Sequence, residues 1–103
     1  DRIKNVIISG GENIYPAELE VILKGNGLLK EFSIVGRKDF VWGEVPVIIA
    51  VKQAKKIDKD KILKIFEGQV AKYKIPKDII FVDNLPKNAL GKIMVDEVKR
   101  LVK

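Results

Sequence analysis

The chain contains neither cysteine nor histidine. Without thiols there can be no disulfide and no thiolate metal site, and without imidazole the commonest metal ligand and the usual proton shuttle near neutral pH are missing. Serine–histidine and cysteine–histidine nucleophile systems are excluded, so any catalytic role falls to Lys, Arg, Asp, Glu or backbone groups. Long apolar runs are lacking too. The longest, Val45 to Val51, is far below the ~18 residues that a membrane-spanning helix needs, and nothing resembles a secretory leader. Internal repeats, low-complexity tracts and interdomain linkers are also absent, which leaves one domain.

Charge, by contrast, is abundant. Lys and Arg number 20 against 14 Asp and Glu, a formal balance of +6, which favours a polyanionic partner such as nucleic acid, an anionic membrane or a phosphorylated small molecule. A length of 103 residues supports a modest core but falls short of an enzyme that must house both a substrate and a nucleotide. Residue 1 is Asp and an apolar segment follows almost at once, so the chain is expected to be a piece of a longer protein.

In chain order, Val6–Ile8 and Asn13–Tyr15 predict a small hairpin interrupted by Ser9–Gly10–Gly11. Pro16 suits the first helical position of Ala17–Lys24, whose stripe is Leu19, Ile22 and Leu23, and Gly25–Asn26–Gly27 ends that helix. Phe32–Val35 and Val45–Val51 predict strands, the second apolar on both faces and hence central. Between them Gly36 to Glu44 reads as a polar loop with two aromatics. A helix is expected from Asp58, its N-cap, to before Pro76, with Ile62, Phe66, Val70 and Tyr73 on the buried side. Ile79–Val82 predicts a buried strand. A terminal helix follows, with Met94, Val98 and Leu101 on one face and Asp96, Glu97, Lys99, Arg100 and Lys103 arranged to suit its dipole. The fold class is α+β: a hairpin followed by a small sheet covered by about three helices.

Between that last strand and helix lies Leu85–Pro86–Lys87–Asn88–Ala89–Leu90–Gly91–Lys92. Pro86 presets its own φ, Asn88 tolerates turn geometry and Gly91 permits a sharp bend, so Lys92 sits on a shaped loop. A compact ammonium so presented suits phosphate or carboxylate oxygens, although a solvated surface lysine has the same local sequence.

The order of several segments resembles the small C-terminal domain of the adenylate-forming acyl-CoA synthetases, which include fatty-acid and related acyl-CoA ligases. The segments are Asp1–Arg2–Ile3–Lys4, Ile7 to Glu18 with its Ser-Gly-Gly-Glu-Asn-Ile-Tyr-Pro core, Trp42–Gly43–Glu44–Val45–Pro46, Tyr73–Lys74–Ile75–Pro76 and Leu85 to Lys92. Together they span almost all of residues 1–103. The family forms an acyl-adenylate from a carboxylic acid and ATP, with Mg bound outside this domain, and then moves the acyl group to the thiol of coenzyme A. Its larger N-terminal domain is the implied partner, and the C-terminal domain rotates between the two half-reactions. The implied location is cytoplasmic.

The same resemblance implies roles. Lys92 matches the lysine that meets the α-phosphate and carboxylate during adenylation, Lys4 the hinge, and Arg2 the arginine that reaches the nucleotide ribose. Gly10 and Gly11 match the segment lining the pantetheine tunnel, with Glu12 and Asn13 on the same segment. Trp42 and Tyr73 match aromatics near the coenzyme A nucleotide, although core packing explains either equally well. No metal ligand is implied within the domain. Departures from the family pattern fall at Asn5, Ile75 and Val95, which leaves Lys72, Lys74 or Lys77 as alternative sources of charge for coenzyme A. Two other classes compete: a basic nucleic-acid-binding α+β module, and a domain of an adenylating enzyme that serves a carrier-protein thiol. Against the first, the strands lack interleaved aromatics and the basic residues are scattered among acids; against the second stands the Ser-Gly-Gly-Glu-Asn-Ile-Tyr-Pro form. On its own the domain is expected to be inactive.

Overall fold

A computed structural model describes residues 5–102. The expected N-terminal hairpin forms from β1 (Ile7–Ser9) and β2 (Glu12–Ile14), with Ser9 opposite Glu12. Its two-residue turn holds Gly10 at φ 58° and Gly11 at φ 82°. Two successive positive φ angles match the right-handed twist of adjoining strands, and glycine adopts them without steric penalty. Helix α1 (Pro16–Leu23) follows directly, with Pro16 at its start and Leu19 and Leu23 fully buried.

Strands β3 (Leu29–Asp39) and β4 (Gly43–Lys52) pair antiparallel over almost their whole length. Both are longer than the sequence suggests. Gly36, Arg37, Lys38 and Asp39 pair with Pro46, Val45, Glu44 and Gly43, so the expected polar loop is mostly a continuing hairpin, and only Phe40–Val41–Trp42 turns. Asp39 closes the tip: its Oδ2 accepts the Val41 and Trp42 amides at 3.1 and 2.9 Å, and its pairing partner Gly43 returns the chain to the strand at φ 89°.

Asp58 caps α2 (Lys59–Lys64) as expected, its Oδ1 accepting the Asp60 amide at 2.9 Å. The helix, however, does not run to Pro76. Its last turns tighten and Gly68 takes φ 80°, a left-handed stop that ends helices. Ile62 and Phe66 are fully buried, whereas Tyr73 reaches the same core from a separate 3-10 turn at Lys72–Lys74. The last strand, β5 (Asp78–Phe81), lies parallel to β4. Helix α3 (Val95–Lys99) continues into a 3-10 turn at Arg100–Val102. The expected stripe is corrected there: Val98 and Val102 are buried, while Met94 and Leu101 remain exposed because Met94 precedes the helix and the tightened end turns Val102 inward.

All five strands form one sheet in the order β2-β1-β4-β3, with β5 also on β4. The hairpin is therefore continuous with the sheet, through Ser9 opposite Gly43. Strand β4 is central, and its apolar run feeds both faces. Ile48 and Ala50 join Ile34, Ile79, Leu19, Leu23, Ile62 and Phe66 beneath α1 and α2. Val47 and Ile49 join Val35, Leu85, Val98 and Val102 beneath α3. Alternation along a strand sends neighbouring residues to opposite sides, so one run of apolar residues builds two cores. At the outer edge, the Glu20 carboxylate on α1 accepts the Ile34 amide at 3.0 Å, satisfying an edge donor on β3. The architecture is α+β, as expected.

Candidate functional site

Two candidate surfaces are rooted on opposite faces of the sheet. The first surrounds the glycine hairpin. The Gly10 amide donates to the Trp42 carbonyl at 2.8 Å, and the Ile8 amide donates to Glu44 Oε1 at 3.0 Å. These bonds fasten the hairpin to the β3–β4 tip. The Trp42 ring lies so close to Gly10 that a β-carbon there would sit 2.8 Å from Trp42 Cε3, inside van der Waals contact. Gly11 differs: a β-carbon there would meet nothing within 4 Å. Gly10 is thus required by packing as well as by the turn, whereas Gly11 presents bare backbone to open space. Glu12 and Asn13 are exposed on the same hairpin, and Asn13 Nδ2 donates to the Tyr15 hydroxyl at 3.3 Å.

Next to this hairpin, Ser9, Trp42, Lys72, Tyr73 and Lys77 line a groove of about 250 Å³. Trp42 and Tyr73, distant in sequence, are therefore neighbours, with two exposed ammonium groups beside them. Trp42 is half exposed, and Tyr73 packs partly against the α1 and α2 core. Lys74 is turned elsewhere, donating to Glu18 Oε1 at 3.0 Å. That hydrogen bond holds the Lys74 ammonium above its ordinary pKa, outweighing partial desolvation, with smaller contributions from Tyr73 and Glu12. Of the three lysines left open by the sequence, Lys72 and Lys77 face the groove while Lys74 is committed to an ion pair.

The second surface is the loop carrying Lys92. Leu85, buried on the α3 side, anchors its start. An isolated bridge pairs Lys87 with Ile93, and the Met94 amide donates to the Pro86 carbonyl at 2.9 Å. Within this clasp Gly91 adopts φ 83° and its amide donates to the Asn88 carbonyl at 3.0 Å. Lys87 also pairs with Glu31 on β3. Lys92 stands exposed at the end of the clasp, and among the described residues it forms no salt bridge. Glu44 and Asn88 fall within the segments that carry the resemblance but are given no site role there, and Asp39 carries no signal in the sequence beyond being a polar residue near a turn. Arg2 and Lys4 lie outside the described residues.

A two-faced α+β sheet with a glycine hairpin on one side and a clasped lysine loop on the other defines a class of small accessory domain. Comparison with known proteins makes this specific: the model of the AMP-binding enzyme C-terminal domain matches residues 18–92, and the chain belongs to that family. Indoleacetate–CoA ligase of Aromatoleum aromaticum is 47% identical over 102 residues, covering 98% of this chain and 20% of that protein. The solved Mycobacterium tuberculosis fatty acyl CoA synthetase superposes with a TM-score of 0.90 at 37% identity, over 98% of this chain and 20% of that one. The o-succinylbenzoate CoA synthetase of Bacillus subtilis, solved with its acyl-adenylate intermediate, gives 0.85 at 38% identity, over 96% and 20%. This chain thus spans about a fifth of the length of the relatives it matches. No helix among the described residues is long and apolar enough to cross a membrane.

Proposed function

We propose that this chain is the mobile C-terminal domain of an ATP-dependent acyl-CoA ligase and that its two surfaces serve the two half-reactions in turn. The observation that carries the reading is the rooting of the Lys92 loop and of the hairpin groove on opposite faces of one sheet. In the first step a carboxylate oxygen bonds to the α-phosphorus of ATP and pyrophosphate leaves. Lys92, donated by the clasp, offsets repulsion between the two anions and holds them in line, which is how electrostatic positioning lowers such barriers. In the second step the coenzyme A thiolate attacks the acyl carbon, and the carbonyl–phosphate bond breaks to release AMP.

For that step the domain turns its other face. The pantetheine arm passes Gly11, where no side chain obstructs it, along Glu12 and Asn13. Trp42 and Tyr73 border the adenine of coenzyme A, and Lys72 and Lys77 its phosphates. Arg2 is assigned to the ribose of the adenylate and Lys4 to the hinge. The bulk of the ATP and acyl pockets belongs to the large N-terminal domain, the partner against which this one turns. Mg is assigned to the nucleotide and that domain, as the family resemblance implies. The Bacillus subtilis relative has also been solved with ATP and magnesium. The ligase works in the cytoplasm, where ATP and coenzyme A are supplied. Nothing in the groove favours a nucleic acid, and the relatives named above are CoA ligases or synthetases, not carrier-protein enzymes.

The test uses the full-length ligase. Pyrophosphate exchange reports adenylation, and thioester formation from supplied acyl-adenylate reports the second step. Lys92→Ala is expected to slow adenylation about a hundredfold or more, the effect of removing one charge-stabilising contact, with thioester formation little changed. Gly11→Leu should do the reverse. Equal loss of both half-reactions in both folded variants would refute the alternating use of the faces.

A further inference from the structure

Lys92 is one of many exposed lysines, and what sets it apart is its backbone. Both of its main-chain polar groups are bound by one residue: its amide donates to Asn88 Oδ1 at 3.0 Å and its carbonyl accepts the Asn88 amide at 2.9 Å. The same Oδ1 also accepts the Leu90 amide at 2.9 Å. Asn88 Oδ1 therefore sits inside the turn and takes both inward-facing amides. We propose that Asn88 is the positioning residue for Lys92, fixing the backbone from which the ammonium projects. This rests on the reading that Lys92 acts in adenylation.

The neighbouring contacts separate this role from one in folding. Leu85 on one side and the Lys87–Ile93 bridge on the other hold the ends of the loop without the Asn88 side chain, since the bridge uses only main-chain groups: the Met94 amide on the Pro86 carbonyl and the Asn88 amide on the Lys92 carbonyl. Asn88 itself is exposed and contributes to neither core. Truncating its side chain leaves the Leu90 and Lys92 amides to solvent and only two main-chain bonds, Gly91 to the Asn88 carbonyl and Asn88 to the Lys92 carbonyl, to hold the turn, so the point of attachment of Lys92 loosens while the domain stays folded. A charge displaced by an ångström loses most of its positioning value.

In the full-length ligase, Asn88→Ala is expected to lower the kcat of adenylation about tenfold, in line with the loss of one to two neutral hydrogen bonds. The KM for ATP should shift less than about twofold, and thioester formation from supplied adenylate should be unchanged. Asn88→Asp, whose carboxylate oxygen accepts the same two amides, should restore most of the rate. Asn88→Ser, which reaches one amide at a time, should fall between. The decisive variant is Asn88→Ala/Lys92→Ala: if Asn88 acts through Lys92, the double variant is no slower than Lys92→Ala alone. Multiplying losses, or an Asp variant as slow as Ala, would overturn the proposal even if Ala lowers the Tm, because the Asp and Ser variants retain an acceptor. If Lys92→Ala adenylates normally, the reading beneath fails and this proposal falls with it. If Lys92→Ala is slow but Asn88→Ala is not, only the role of Asn88 is refuted.

Discussion

The two hairpin glycines offer a clean separation of backbone strain from packing. Both have positive φ, 58° for Gly10 and 82° for Gly11, so alanine at either incurs a left-handed penalty of about 1 kcal/mol. Only at Gly10 does the new methyl meet something: Trp42 Cε3 at 2.8 Å and Cζ3 at 3.1 Å. Overpacking of that kind costs ~1–3 kcal/mol, and because Trp42 is half exposed and can shift, the lower half of that range is expected. Gly10→Ala should therefore destabilise the domain by about 2–3 kcal/mol and Gly11→Ala by about 1 kcal/mol. At ~4–8 °C per kcal/mol for a domain of this size, the two melting temperatures should separate by several degrees. The measurement is cooperative thermal and urea unfolding of the isolated domain, followed by circular dichroism and Trp42 fluorescence. Trp42→Ala removes the obstacle, so in that background Gly10→Ala should cost no more than Gly11→Ala, a coupling of about 1–2 kcal/mol. Equal effects of the two glycine substitutions with Trp42 present, or no relief when it is removed, would refute the packing argument.

Phe66, fully buried where α2 meets the sheet, should cost ~3–5 kcal/mol on truncation to Ala; a loss below about 1 kcal/mol in urea unfolding would show that this side of the core is not packed as described. The Glu18–Lys74 pair should add ~0.2–1 kcal/mol, since both side chains are partly exposed at 48% and 22%. Because the folded Lys74 pKa is raised, that increment is fully present below about pH 10.5 and is lost as pH climbs through the folded value. The stability gap between the native domain and Glu18→Gln should accordingly hold up to about pH 10.5 and narrow as pH rises above it, and a gap that does not narrow there would contradict the assignment.

Sequence alone determined the outline. The hairpin turn is legible in Gly10–Gly11 because few other residue pairs tolerate two positive φ angles, and the start of α1 is legible in Pro16 because the ring suits only a first turn. The two-faced run Val45–Val51 announces a central strand, since no surface strand is apolar at every position. Spacing singled out the loop shape around Lys92, and ordered motif resemblance, not periodicity, singled out Lys92 itself. Tertiary structure decided what local pattern could not. Tyr73 keeps helical spacing from Phe66 and Val70, yet Gly68 stops the helix and a separate turn delivers the ring to the core. Polar residues from Gly36 to Asp39 look like loop, yet pairing with β4 satisfies their backbone and makes them strand. Leu101 fits a helical stripe, yet the tightened last turn buries Val102 in its place. Above all, the meeting of Trp42 with Gly10 and Tyr73, and the division of Lys72 and Lys77 from Lys74, depend on contacts between segments far apart in the chain. Periodicity carries information over a few residues only; which distant side chains share a groove is set by how the two cores draw the strands and turns together.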